Sequence, residues 1–310
     1  MADAVERGIK DVFPQCNVVK AGVADGGEGT VEAIVKAVGG AMYTASVTDP
    51  LGRPVKAAYG IVRSGGVKTA VMEMSAASGL PLLLPDELNP WITSTYGTGE
   101  MISDALNRGC RKFLIGIGGS ATNDAGTGML SALGVRFLDS RGQRLKGCGR
   151  DLESIARIDM SSLMPAARES EFIVACDVNT PFCGPDGAAR VFAPQKGADP
   201  QTAEALDRGM RSFAGVIAGQ FQTDIVPLSG AGAAGGLGGA FKAFLNARLT
   251  AGIEMVLDAI AFDSLLEGAD LVITGEGRID AQTAAGKTAA GVLRHAARKG
   301  IPVIAIGGSD

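Results

Sequence analysis

Residues 112–124 read Lys-Phe-Leu-Ile-Gly-Ile-Gly-Gly-Ser-Ala-Thr-Asn-Asp. Phe113, Leu114 and Ile115 form an apolar run bounded by glycine, too short for a helix, which predicts a buried strand. Gly116, Gly118 and Gly119 follow, where a backbone without Cβ can turn sharply and bring its N–H groups close to a ligand. Ser120, Thr122, Asn123 and Asp124 then offer capping groups for a helix through Met129, Leu130 and Leu133. A strand, a glycine turn and a helix start predict an anion site, because open N–H groups and the helix dipole both favour negative charge. Asp124 beside such a site becomes useful if a metal ion lies between it and a phosphate.

The same device recurs on either side of this stretch. Apolar residues 18–23 predict a strand, followed by Ala-Asp25-Gly-Gly-Glu28-Gly-Thr and a helix carrying Val31, Ile34, Val35 and Val38. Residues 271–274 predict another strand, followed by Gly-Glu276-Gly-Arg278-Ile-Asp280 and a helix carrying Ala289, Val292, Leu293 and Ala296. A strand at 172–175 delivers Cys176-Asp177-Val-Asn179-Thr-Pro, and a further one is expected at 302–306. Helices are expected at 93–107 and 200–218, and another opens the chain on Val5, Ile9 and Val12. Between them, Val47, 57–61 and 69–74 have the spacing of an antiparallel meander, so the texture changes near residue 45, the first candidate domain boundary. Strands alternating with helices imply an α/β fold with a mainly parallel sheet and ligands at the strands' C-terminal ends.

Composition narrows the function classes. A chain of 310 residues with 46% hydrophobic content can bury a substantial core and divide into two domains. A net charge of −4 argues against nucleic acid or a membrane surface as the main partner. No apolar run approaches a membrane span and no signal-peptide layout opens the chain, so a cytoplasmic protein is expected. The 5 cysteines lack metal-ligand spacing and read as free thiols in a reducing compartment. With a single histidine, His295, in a Lys/Arg-rich helix, a mechanism built on a histidine base is disfavoured.

Any one acidic glycine loop can be a tight turn with a capping acid. Asp25 to Glu28, Ser120 to Asp124 and Glu276 to Asp280 at equivalent positions favour instead a site that handles polyanions through metal. Phosphoryl transfer also needs positive charge, for which Lys196 and Lys287 are candidates, and a base for the acceptor hydroxyl. Asp177 beside Asn179 suits hydroxyl activation or metal binding; an Asx-type turn before Pro181 explains it equally well. Gly286-Lys287-Thr288 is no P-loop, because Ala281 stands where that motif needs glycine. Gly116-x-Gly118-x-x-Ala121, with Asp139 downstream, fits a dinucleotide fingerprint and keeps an NAD(P)-dependent oxidoreductase open. Gly230-x-Gly232-x-x-Gly235 fits it too, although close helix packing is the simpler account there.

Six motifs in order, 24–30, 118–124, 175–179, 194–197, 232–239 and 274–280, closely resemble the bacterial type I glycerate kinases over essentially the whole chain. The resemblance implies ATP-dependent, Mg2+-assisted phosphorylation of D-glycerate at its 2-hydroxyl, giving 2-phosphoglycerate, by a monomer or homodimer. It implies a Rossmann-like domain built from both chain ends (1–45 with 264–310) and an inserted mixed α/β domain (46–263), with the site between them. On this reading Asp177, Lys196 and Lys287 are catalytic. Gly118, Gly119, Ser120, Gly232, Gly235 and Gly236 cradle phosphate. Asp25, Glu28, Asn123, Asn179 and Arg278 contact the acceptor, and Asp124, Glu276 and Asp280 hold metal. The family pattern also has a strand and an Asp-Ser-Phe-Lys turn before this chain's first helix and continues past Asp310. A nucleotide-binding fragment without turnover is therefore the other expectation.

Overall fold

The computed structural model describes residues 2–276 and 288–308. The chain opens with α1 (Ala2–Val12) and α2 (Thr30–Val38), then β1 (Ala41–Thr48), β2 (Pro54–Ser64) and β3 (Val67–Glu73). Next come α3 (Ser75–Ser78), α4 (Tyr96–Asn107), β4 (Lys112–Gly116), α5 (Thr127–Ala132), β5 (Arg136–Leu138) and β6 (Arg157–Asp159). They lead to α6 (Pro165–Arg168), β7 (Glu171–Ala175), α7 (Ala188–Phe192), α8 (Pro200–Phe221) and α9 (Ala233–Leu245). The last described elements are β8 (Arg248–Thr250), α10 (Gly252–Ala259), α11 (Phe262–Leu265), β9 (Val272–Glu276), α12 (Thr288–Arg298) and β10 (Val303–Gly307).

A six-stranded sheet in the order β1-β2-β3-β4-β7-β8 forms the centre. The expected meander is present, with β1–β2 and β2–β3 antiparallel, whereas β3–β4, β4–β7 and β7–β8 are parallel. Alternation along β4 sends Phe113 and Ile115 to one face and Leu114 to the other, where each joins a separate buried cluster. On the first face Phe113 stacks on Phe172 with ring centroids 4.7 Å apart, and complete burial of such a ring contributes about 2–3 kcal/mol. On the second face Leu114 and Ile173 pack with Val31 and Ile34 of α2 and Ile253 and Val256 of α10. Both faces are therefore covered, as parallel pairing requires. β9 and β10 pair in parallel as a separate two-stranded sheet.

The register sets the working edge. Glu73 of β3 pairs with Gly116 of β4, Gly116 with Ala175 of β7, and Ala175 with Thr250 of β8. Four parallel strands thus end on one row, and the loops that follow them open on the same side.

Three expectations change. Residues 18–23 form no ladder among the described residues; Ala21 and Val23 instead pack on the second core cluster. Apolar alternation specifies burial, but a strand also needs a neighbour. Residue 45 lies within β1, so the change of texture belongs before that strand. The helix expected directly after the glycine turn begins only at Thr127, because Ala125 and Gly126 take positive φ and a loop intervenes. The helix dipole therefore does not reach the glycines. All five cysteines are free, with Cys16 exposed and Cys110, Cys148 and Cys183 buried. Among the described residues no helix is long and apolar enough to cross a membrane.

Candidate active site

A cleft of about 280 Å³ lies on this edge of the sheet. Asp25, Gly118, Gly119, Ser120, Asp177 and Lys196 all line it, brought together from four separate parts of the chain. Gly116 makes the first junction possible: a Cβ there would overlap the carbonyl oxygen of Gly26. Gly26 itself has φ +87, and a Cβ on it would lie 2.7 Å from that of Ala175. The acidic turn at residue 25 is thus wedged between the ends of β4 and β7, with the Gly27 N–H donating to Asp25 Oδ1 at 3.3 Å.

The glycine loop after β4 supplies donors. Gly118 and Gly119 are exposed to the cleft, and a Cβ at Gly118 would meet nothing within 4 Å. Among the described residues, the N–H groups of Gly118, Gly119 and Ser120 have no protein acceptor. The loop is fixed by its other groups: Leu80 N–H donates to Gly119 O at 2.9 Å and Ala121 N–H to Ser78 O at 2.9 Å. A fixed loop with free donors is a receptor for anions.

Lys196 lies beneath this loop on the one-turn helix Pro194–Lys196 and is 1% exposed. Its Nζ donates to Ser120 Oγ and to Thr122 O, each at 2.6 Å. Both acceptors are neutral, and burial depresses the ammonium to about 7 although the nearby Asp124 charge works the other way. An anion on the glycine loop would favour the charged form of this lysine.

Asp177 follows β7 and faces the open cleft. The N–H of Gly252, the first residue of α10, donates to its Oδ1 at 2.9 Å. Desolvation by the surrounding walls raises its carboxyl above the usual range, the Gly252 N–H opposes this, and the negative charge of Asp25 adds to the rise. A raised carboxylate at a strand end can accept a proton from a hydroxyl.

The structure moves other expected residues off the cleft wall. Asp124 is wholly buried. Its Oδ2 accepts from Thr95 N–H (2.7 Å), Thr95 Oγ1 (2.8 Å) and Gly128 N–H (3.2 Å), and its Oδ1 from Gly126 N–H (3.0 Å). This corrects the metal role expected of it, because both oxygens are engaged in clasping the starts of α4 and α5. Asn123 is also buried, its Nδ2 3.2 Å from Met210 Sδ, and Asn179 Oδ1 accepts from the Ser229 hydroxyl at 2.8 Å. Neither lines the cleft, nor does Glu28, which is exposed beside it. Gly235 has φ +66 and a Cβ there would run into the Thr122 carbonyl; Gly236 packs on Ala125 and Phe182, and Gly232 on Pro181. Close packing therefore replaces the expected phosphate cradle, and it is Ala233 and Ala234 that face the cleft. The oxidoreductase alternative loses its footing as well. No helix starts at Ala121, and Asp139 is half-buried, its Oδ1 accepting from Arg141 and Gln143 N–H in a turn.

Arg278, Asp280 and Lys287 lie outside the described residues, and Glu276 is described only as the end of β9. Sequence reasoning missed Gln195 and Phe192 on the cleft wall, although Gln195 stands inside a motif already singled out. It also missed α10, although Ile253, Val256, Leu257 and Ile260 have the spacing of one helical face. Among the described residues no three His, Cys, Asp or Glu side chains gather as a metal cage. The carboxylates of Asp25 and Asp177 on one cleft do fit the way Mg2+ is held, by one or two acids together with phosphate oxygens.

The chain is 49% identical over 308 residues to a glycerate kinase of Bacillus subtilis (strain 168), covering 99% of this chain and 80% of that one. It is 46% identical over 309 residues to a glycerate 2-kinase of Escherichia coli (strain K12), covering 81% of that protein. A crystal structure of a protein described as glycerate kinase 2 from Salmonella typhimurium LT2 superposes with a TM-score of 0.93 at 47% identity, covering 99% of this chain and 82% of that one. The sequence profile of the glycerate kinase family matches residues 1–310, and the chain belongs to that family.

Proposed function

We propose that this chain transfers the γ-phosphoryl group of ATP to the 2-hydroxyl of D-glycerate, giving 2-phosphoglycerate and ADP. The observation that carries the reading is the convergence of three open N–H groups, a buried lysine and a carboxylate with a raised pKa on one cleft. The family relationship supports it, and the relative named glycerate 2-kinase supports the choice of hydroxyl.

Phosphoryl transfer is catalysed mainly by positioning and charge. Gly118, Gly119 and Ser120 bind phosphate oxygens through their N–H groups, and Lys196 stabilises the same oxygens from below through its contact with Ser120. Asp177, oriented by the Gly252 N–H, takes the proton of the attacking hydroxyl. Mg2+ would be held by Asp25 with phosphate oxygens and supplies charge neutralisation when bound; Glu276 and Asp280 remain proposed contacts to it. Lys287 and Arg278 remain proposed partners for the transferred group and for the acceptor's carboxylate. The division of the chain into a body from both ends and an inserted body, with its first boundary moved before β1, belongs to the same proposal.

The test is incubation with ATP, Mg2+ and D-glycerate, with the product identified by phosphorus NMR. 2-Phosphoglycerate with stoichiometric ADP is expected. Formation of 3-phosphoglycerate would refute the choice of hydroxyl, and no ADP the whole reading.

A further inference from the structure

His295, the only histidine in the chain, lies on α12 and is 4% exposed. Its Nδ1 is 2.7 Å from Asp263 Oδ1 and its Nε2 is 2.9 Å from Glu254 Oε2. Ionised carboxylates only accept, and a neutral imidazole carries a single N–H, so both contacts are hydrogen bonds together when the ring is imidazolium. The surrounding charges are few and named. Arg294 Nη2 donates to the other oxygen of Glu254 at 2.8 Å, and Lys299 Nζ donates to the Asp263 carbonyl at 2.6 Å. The Phe262 ring stands edge-on to the imidazole at 6.1 Å. Beside this cluster α12 lies close against α10, where a Cβ at Gly291 would overlap the Ile253 side chain.

Glu254 is the third residue of α10, and Gly252, the first, donates its N–H to Asp177 at 2.9 Å. One helical turn therefore carries the histidine clasp on its side and the candidate base at its tip. We infer that His295 is a positioning residue: its imidazolium, held between Glu254 and Asp263, fixes the first turn of α10 and thereby the carboxylate of Asp177, so that its protonation is linked to occupancy of the cleft. The inference rests on the kinase reading in that Asp177 acts there as the base. Burial alone disfavours the charged ring, but hydrogen bonds to Glu254 and Asp263 and their charges outweigh this and raise its pKa. The clasp is accordingly complete below the ordinary histidine value and is lost as pH rises through the raised one.

A single histidine gives a single imidazole Cε1–H resonance, so its titration midpoint can be read by NMR without assignment. The expected midpoint lies above about 6.5 and moves when the enzyme is saturated with ATP, Mg2+ and D-glycerate, since linkage is reciprocal. His295→Gln, which leaves one donor in place of two, is expected to lower kcat about 5–10-fold with KM little changed, and to shift the alkaline limb of the kcat profile. Glu254→Gln provides the same readouts if His295→Gln does not fold. A midpoint at or below the ordinary value, or a loss of Tm with the kcat profile unmoved, would overturn the inference. If the chain forms no ADP, the kinase reading fails, and the linkage is decided without ligand. Asp177→Asn must then move the imidazole midpoint, and identical midpoints in both proteins would overturn it.

Discussion

Two glycine-rich loops, 118–119 just before Thr122 in sequence and 235–236 packed against its carbonyl, look alike as sequence. At Gly118 the absent side chain leaves open space, at Gly119 a Cβ would only touch that of Ser75 at 3.5 Å, and both residues line the cleft. At residues 235–236 the absent side chains admit other parts of the protein, with the 122–125 loop and Phe182 in contact. The first pair lets a ligand approach the backbone; the second lets backbone approach backbone. Glycine content alone does not distinguish these uses, and what a Cβ would meet does. The two aspartates divide in the same way. Asp124 is consumed by internal donors, whereas Asp177 has one and an open side toward the cleft.

The sharpest test of this contrast uses the aspartates. Asp177→Asn is expected to reduce kcat by about 10²–10³-fold, the scale of about 2.7–4 kcal/mol for losing a central charged group, with Tm nearly unchanged. Asp124→Asn should do the reverse, losing about 2–3 kcal/mol of stability in urea because an amide cannot accept all four bonds, while the remaining folded enzyme keeps most of its kcat. Equal loss of kcat in both variants, at equal stability, would dissolve the distinction.

The glycines come next. Gly235→Ala must place a Cβ at φ +66 and against a carbonyl, and is expected to cost more than about 2 kcal/mol in a denaturation curve. Gly118→Ala should leave stability within about 0.5 kcal/mol, while its methyl group stands in the cradle and raises KM for ATP. The reverse ordering would show the two loops to have been exchanged.

The last test concerns Lys196, where the effect is spread over several pH units. Its value of about 7 in the folded state lies below the ordinary lysine value, so between the two the unfolded chain holds one more proton than the folded one. Stability of the ligand-free protein should therefore rise with pH across that window, by on the order of 1 kcal/mol per pH unit. Lys196→Met should remove this slope. A slope that survives the substitution would assign it to another group.

Much of the fold was legible because periodicity reports burial. The runs 113–115 and 172–175 are strands, and the meander after residue 40 is as spaced. What escaped was decided by distant partners. Asp124 reads as a metal acid, with a capping acid as the other account, and only the fold brings Thr95, remote in sequence, onto it. Lys196 reads as a lysine near glycines, and only the fold shows it buried under Ser120. β5 and β6, three residues each, are too short for any alternation to declare. α10, whose first N–H orients Asp177, was missed although Ile253, Val256, Leu257 and Ile260 carry helical spacing between Glu254 and Asp258.

The clasp formed by Asp124 has one more consequence. It anchors the far end of the loop that begins at β4, so residues 117–126 are tethered at both sides before any nucleotide arrives. The conformational freedom of that segment has been surrendered during folding, and a ligand need not freeze it again on arrival. Affinity for a phosphate tail should accordingly depend little on temperature-driven loosening of this loop, and a flexible insertion within it would weaken binding without removing a single contact.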